Sequence, residues 1–168
     1  MTKVFGEEYF TFMNIPSPLW ATYVCIGFPK VLLYLYRNPS LLTCVAERIL
    51  KRNIELIKTL NSIGVNGVFI EECLTSRDVI SLEPFRKYSK PYVSRLINKC
   101  KCLGLKTVYY FCGDVSDRLE DLINVGPDAI SLEESKKGFN IDIEWVHEVV
   151  KGRCCILGNI DSVWIKEQ

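Results

Sequence analysis

Four short stretches carry residues that can do chemistry, and each directly follows an apolar run. They are Glu71-Glu72-Cys73, Cys112-Gly113-Asp114, Glu133-Glu134-Ser135 and Gly158-Asn159-Ile160-Asp161. Carboxylates at Glu72 and Glu134 suit acid–base work or metal binding. The Cys112 thiol can serve as nucleophile or metal ligand, and its glycine neighbour lets a substrate approach closely. The bland alternative is a small residue buried at a strand end. Asn159 and Asp161 can hydrogen-bond a ligand or fasten their own loop. Arg77 can pair with a substrate carboxylate, although a lone loop arginine is usually solvated. Glu71 and Glu72 alternate in direction, so one faces a central cavity and the other a helical layer. We assign the cavity to Glu72, where a carboxylate needs a partner. The same alternation applies to Glu133 and Glu134.

Bringing those stretches to one edge requires regularly alternating elements. Asn38-Pro39 reads as an N-cap followed by proline at the first helical position. Leu42, Val45, Ala46, Ile49, Leu56, Leu60 and Ile63 recur at helical spacing, and Gly64 closes the segment. The bounded apolar run Gly67–Ile70 then reads as a buried strand. The pattern repeats three times. Helices from near Pro84 or Pro91 to Gly104, from Asp117 to Gly126 and from Ile141 to Lys151 precede strands Thr107–Phe111, Ala129–Leu132 and Cys154–Leu157. Trp20–Ile26 reads as an earlier strand. Such alternation predicts an α/β fold with a parallel sheet, whose carboxyl-end loops are where ligands bind.

Composition narrows the function classes. The 168 residues balance 21 Lys and Arg against 20 Asp and Glu, a formal charge of +1. That gives no electrostatic reason to expect nucleic acid or an anionic membrane as partner. No Gly-x-Gly-x-x-Gly or Gly-Lys-Ser/Thr motif supports dinucleotide or P-loop chemistry. Between Leu19 and Tyr36 the only charge is Lys30, but Pro29 and Lys30 interrupt a span of minimum length. A buried strand and short helix is expected there, and no membrane role. The eight cysteines show no Cys-x-x-Cys spacing, which favours reduced thiols in a cytoplasmic protein, most of them in the core. Cys100 and Cys102 should point to different faces of a helix.

Several stretches together resemble the uroporphyrinogen decarboxylase superfamily. They are Gly64-Val65-Asn66-Gly67-Val68, Lys90-Pro91-Tyr92, Phe111-Cys112-Gly113, Gly126-Pro127-Asp128-Ala129-Ile130 and Gly158-Asn159-Ile160-Asp161, with Pro39 at a helix start upstream. The resemblance covers most of the chain beyond residue 17. It implies a (β/α)8 barrel with its site at the carboxyl ends of the strands. It also implies one of two chemistries: decarboxylation of a tetrapyrrole's acetate arms, or zinc-dependent methyl transfer involving a corrinoid or thiol.

The methyltransferase branch carries His-x-Cys-Gly at one strand end, where imidazole and thiolate bind zinc. Here Tyr110-Phe111-Cys112-Gly113 occupies that place, so the cysteine is kept and the histidine is tyrosine. The sole histidine, His147, reads as a helix-surface or packing residue. The resemblance therefore implies a methyltransferase-like parent enzyme acting on a small methyl donor or thiol, with a corrinoid as substrate or as a cofactor held by a partner protein. Its catalytic candidates are Glu72, Cys112, Glu134 and Tyr23, the last matching the decarboxylases' active-site tyrosine. Asn159, Asp161 and Arg77 are the binding candidates, and Cys112 with Glu72 the candidate zinc ligands. A tetrapyrrole decarboxylase and a non-catalytic barrel fragment are the alternatives.

A closed barrel of this kind takes about 250 residues. At roughly 30 residues per strand–helix unit, residues 1–168 supply about five units of eight, a single incomplete domain. Two unpaired sheet edges would then invite self-association.

Overall fold

A computed structural model describes residues 8–135, 138–161 and 165–166. Five strands form one sheet in sequential order: β1 (Phe12–Pro16), β2 (Gly67–Glu72), β3 (Lys106–Phe111), β4 (Ala129–Leu132) and β5 (Cys155–Leu157). Every pairing is parallel. Helices α1 (Pro18–Ile26), α2 (Phe28–Arg37) and α3 (Pro39–Ser62) connect β1 to β2. Helices α4 (Leu82–Tyr88) and α5 (Lys90–Cys102) lead to β3, α6 (Leu119–Asn124) to β4, and α7 (Ile143–Val150) to β5. Sequential parallel strands separated by helices are the architecture of a partial (β/α)8 barrel, as expected.

The register divides the sheet into two unlike faces. Ile15, Ile70, Tyr109, Ile130 and Ile156 lie abreast in one row, with Glu72, Phe111 and Leu132 two positions further on. Apart from the half-buried Ile156, these residues are buried. They pack on α3 through Leu42, Ala46, Leu50 and Ile57, and on α5 through Val93, Leu96 and Ile97. Those apolar positions recur every three or four residues, so each helix turns one stripe inward. Phe85 of α4 meets Phe111 edge-to-face at 5.9 Å, a contact worth about 1 kcal/mol beyond its area. The opposite face carries Phe12, Phe69 and Tyr110 stacked in a ladder with 5.6 Å steps, and Phe12 is 54% exposed.

Two motifs of the resemblance act as fasteners at the amino ends of the strands. The Asn66 Oδ1 accepts from the backbone N–H and hydroxyl of Thr11, both at 2.8 Å, tying β1 to β2. Asp128 accepts from the Thr107 N–H at 2.9 Å, its hydroxyl at 3.0 Å and Lys106 at 2.9 Å, tying β3 to β4.

Several expectations need correction. Trp20–Ile26 is helical, not a strand: Pro18 occupies the first turn and the Ser17 hydroxyl caps it by accepting from the Trp20 N–H at 3.1 Å. The stretch expected to hold a strand and a short helix is two helices, α1 and α2, bent by 114°. Among the described residues no single helix is long and apolar enough to cross a membrane. The first strand is instead β1, five residues ending in proline. The helix near Pro84 or Pro91 is two helices that break at Ser89. Cysteines are not mostly core: Cys100 alone is buried, while Cys25, Cys44, Cys102 and Cys155 are exposed. Cys100 and Cys102 do point to different faces.

Candidate functional site

Strand phase decides which side chains reach the open face. Glu71 pairs with Tyr110, and Tyr110 with Ser131, in the row facing away from the helices. The next residues in that phase are Cys73, Cys112 and Glu133, one from each strand end. The Cys112 Sγ lies 3.3 Å from Oε2 of Glu133 and 3.6 Å from the Tyr110 hydroxyl. The Cys73 thiol donates to Oε1 of Glu71 at 3.7 Å, and its sulfur lines the same hollow as Cys112. Asn14 of β1 donates to Oε2 of Glu71 at 3.3 Å. Polar side chains from four strands thus gather at the carboxyl edge of the sheet.

A hollow of about 90 Å³ opens beside the two sulfurs, lined by Cys73, Ser76, Cys112, Gly113 and Glu133 among others. Gly113 has φ +102, and a Cβ there would collide with the Ser76 side chain. Glycine is therefore needed both for the turn and for the space. Larger hollows of about 570 and 550 Å³ lie on the outer helix surface, by Glu120 and Arg153 and by Leu82 and Arg86, away from the strand ends.

Electrostatics single out one sulfur. The hydrogen bond from Cys73 holds the Cys112 thiol below its ordinary range, and the Tyr110 hydroxyl adds to this. Burial and the neighbouring Glu133 act in the opposite direction without winning. Cys73 is pushed up, first by its hydrogen bond to Cys112, then by burial and the Glu71 charge. The proton is therefore held more tightly by Cys73 than by Cys112.

The structure separates residues that were expected to share the mouth. Glu72 faces the helices and is fully buried, so its assignment to the cavity is corrected: Glu71 holds that direction. Its Oε2 accepts from the Ser89 hydroxyl at 2.5 Å, and burial raises its carboxyl to about 7 despite help from Ser89, Ser17, Thr75 and Arg118. The Glu72 Oε1, Thr75 Oγ1, Tyr23 hydroxyl and Tyr109 hydroxyl are buried without hydrogen bonds. Tyr23 does meet Glu72, whose charge helps burial raise the phenol, but behind the sheet and away from Cys112. Cys112 and Glu72 thus stand on opposite faces and cannot ligate one ion. Among the described residues no three His, Cys, Asp or Glu side chains are placed to hold a metal. The described donors therefore do not fit a zinc site.

The remaining candidates divide. Glu134 is half-buried one residue past Glu133, so Glu133 is the member in phase with Cys112. Asn159 donates to the Ile141 carbonyl at 2.7 Å, a loop-holding role. Asp161 is half-buried beyond β5. Arg77 bonds Ser116 at 2.9 Å and pairs with Asp114 at 3.6 Å, bridging two loops. His147 is exposed on α7. From sequence, Cys73 stands at a strand end without a role and Tyr110 has none, although counting by twos from Cys112 and Glu71 reaches both.

The sequence profile of the uroporphyrinogen decarboxylase (URO-D) family matches residues 2–166. The chain is 26% identical over 113 residues to the methylcobamide:CoM methyltransferase MtbA of Methanosarcina acetivorans, a match covering 67% of this chain and 32% of that protein. It is 28% identical over 111 residues to MtbA of Methanosarcina mazei, covering 66% and 31%. A solved methyltransferase from Methanosarcina mazei superposes with a TM-score of 0.77 at 19% identity, covering 89% of this chain and 42% of that one. The chain spans about a third of the length of the curated relatives it matches.

Proposed function

The chain belongs to the uroporphyrinogen decarboxylase (URO-D) family, and we propose that its Cys112 mouth serves methyl transfer between a corrinoid and a thiol. One observation carries this reading: the Cys112 sulfur, 3.3 Å from Glu133 and 3.6 Å from the Tyr110 hydroxyl, stands at the carboxyl edge beside a hollow of about 90 Å³. That volume accommodates a methyl group or the end of a small thiol, well below the several hundred Å³ of a cofactor pocket. The relatives named methylcobamide:CoM methyltransferases support the same class.

In this reading Cys73 favours the Cys112 thiolate, and Tyr110 orients the sulfur from its own strand. Methyl transfer from the corrinoid to the thiol's sulfur leaves a thioether and releases the thiol's proton, which Glu71 or Glu133 at the mouth can accept. A corrinoid supplies the methyl carrier, as free substrate or on a partner protein. Zinc is the metal this branch implies; the described donors do not fit it, and no step is assigned to it.

Decarboxylation of a polycarboxylate would want cations at the mouth. Arg77 is engaged with Asp114 and Ser116, and Arg118 is buried among the helices. The test is demethylation of methylcobalamin with CoM as acceptor, followed by absorbance. Loss on Cys112→Ser but not on Cys102→Ser is expected. Full turnover by Cys112→Ser, or depletion of uroporphyrinogen by the wild type, would overturn the reading; inactivity of every form would favour a non-catalytic chain.

A further inference from the structure

We propose that Cys73 and Cys112 form a reversible dithiol–disulfide couple across the ends of β2 and β3, made by peroxide. This inference does not depend on methyl transfer. Glu72 pairs with Phe111 in parallel register, and the Cys112 N–H donates to the Glu72 carbonyl at 3.0 Å. The strands are therefore still clasped where the two cysteines begin. Neighbouring strands lie about 4.8 Å apart, within the Cα separations of about 4.4–6.8 Å that a disulfide spans. Both side chains are in the open-face phase, both are half-buried, and both line the same hollow.

Cys112, at the hollow's edge beside Gly113, is the attacking thiol and Cys73 the resolving one. The Cys112 thiolate attacks one peroxide oxygen; the O–O bond breaks and hydroxide leaves, taking up a proton as water. Cys112 is then a sulfenic acid. The Cys73 sulfur next displaces that hydroxyl, which leaves as water with the Cys73 proton, and the S–S bond closes. Sulfur is oxidised by two electrons in all and one peroxide is reduced to two waters. A small thiol reverses it by exchange.

Tryptic mapping reads the result cleanly. Cys73 is the sole cysteine of peptide Thr59–Arg77, Cys112 of Thr107–Arg118 and the exposed Cys44 of Asn38–Arg48. Substoichiometric hydrogen peroxide on the full chain should remove the first two reduced peptides in equal amounts and yield them cross-linked. The reduced Cys44 peptide should persist, and dithiothreitol should restore both. In Cys73→Ser, Cys112 should instead be trapped by dimedone. Sulfinic Cys112 beside reduced Cys73 in the wild type, or loss of the Cys44 peptide at an equal rate, would overturn the proposal. Neither readout needs turnover, so it fails separately from the methyl-transfer reading.

Discussion

The Ser89 hydroxyl donates to Oε2 of Glu72 at 2.5 Å, joining the end of β2 to the break between α4 and α5. The other carboxylate oxygen, Oε1, has no hydrogen-bond partner among the described residues. Burial raises the group from 4.5 to about 7. A carboxyl raised on folding binds its proton more tightly in the native state, so stability falls as pH rises from about 4.5 to about 7. The shift corresponds to a loss on the order of 3 kcal/mol across that window. Glu72→Gln keeps the shape and an acceptor for Ser89. We expect the variant's melting temperature to hold between pH 5 and pH 8 while that of the wild type declines; parallel profiles would refute this.

Cys112 should be alkylated by iodoacetamide at lower pH than the exposed Cys44, because Cys73 and then Tyr110 stabilise its thiolate. Cys73→Ala and Tyr110→Phe should each move the Cys112 rate profile to higher pH, Cys73→Ala the further. Peptide-resolved rates check both; unmoved profiles would remove the two residues from any role in holding the thiolate.

Arg118 is buried to within 1% and donates to the carbonyls of Thr75 and Ile80, at 2.9 Å for the latter, while its guanidinium lies 5.1 Å from the centre of the Phe85 ring. Its Nε bonds Asp117 at 2.8 Å. Arg118→Met keeps the apolar stem but strands two buried carbonyls, at a cost of about 3 kcal/mol. The urea midpoint should fall with an unchanged slope. Arg118→Lys should recover only part, because one ammonium cannot reproduce the guanidinium fork.

Helices were legible wherever a cap, a proline and an apolar stripe coincided, as at Asn38-Pro39-Ser40. Ser17-Pro18 is the same signal, yet the uniformly apolar Trp20–Ile26 lacks a polar side to reveal its period, and it reads as a strand when the cap is ignored. β1 was hidden because five residues ending in proline, three of them exposed, show neither a run nor strict alternation. Cys112 was found from its glycine neighbour and its strand-end position. Glu71 against Glu72 and Glu133 against Glu134 could not be decided from one strand alone. Alternation says only that the two differ; the row of Tyr109 and Ile70 against the helices says which is which.

The same alternation limits how β2 can change length. Inserting or deleting one residue between Gly67 and Glu72 would turn over everything downstream, carrying Cys73 behind the sheet and delivering Glu72 to the front. A two-residue change would restore the phase and shift only the height at which the thiol emerges. Homologous chains can therefore gain or lose residues here in pairs without surrendering the two-sulfur arrangement, whereas a single indel would exchange it for a lone carboxylate.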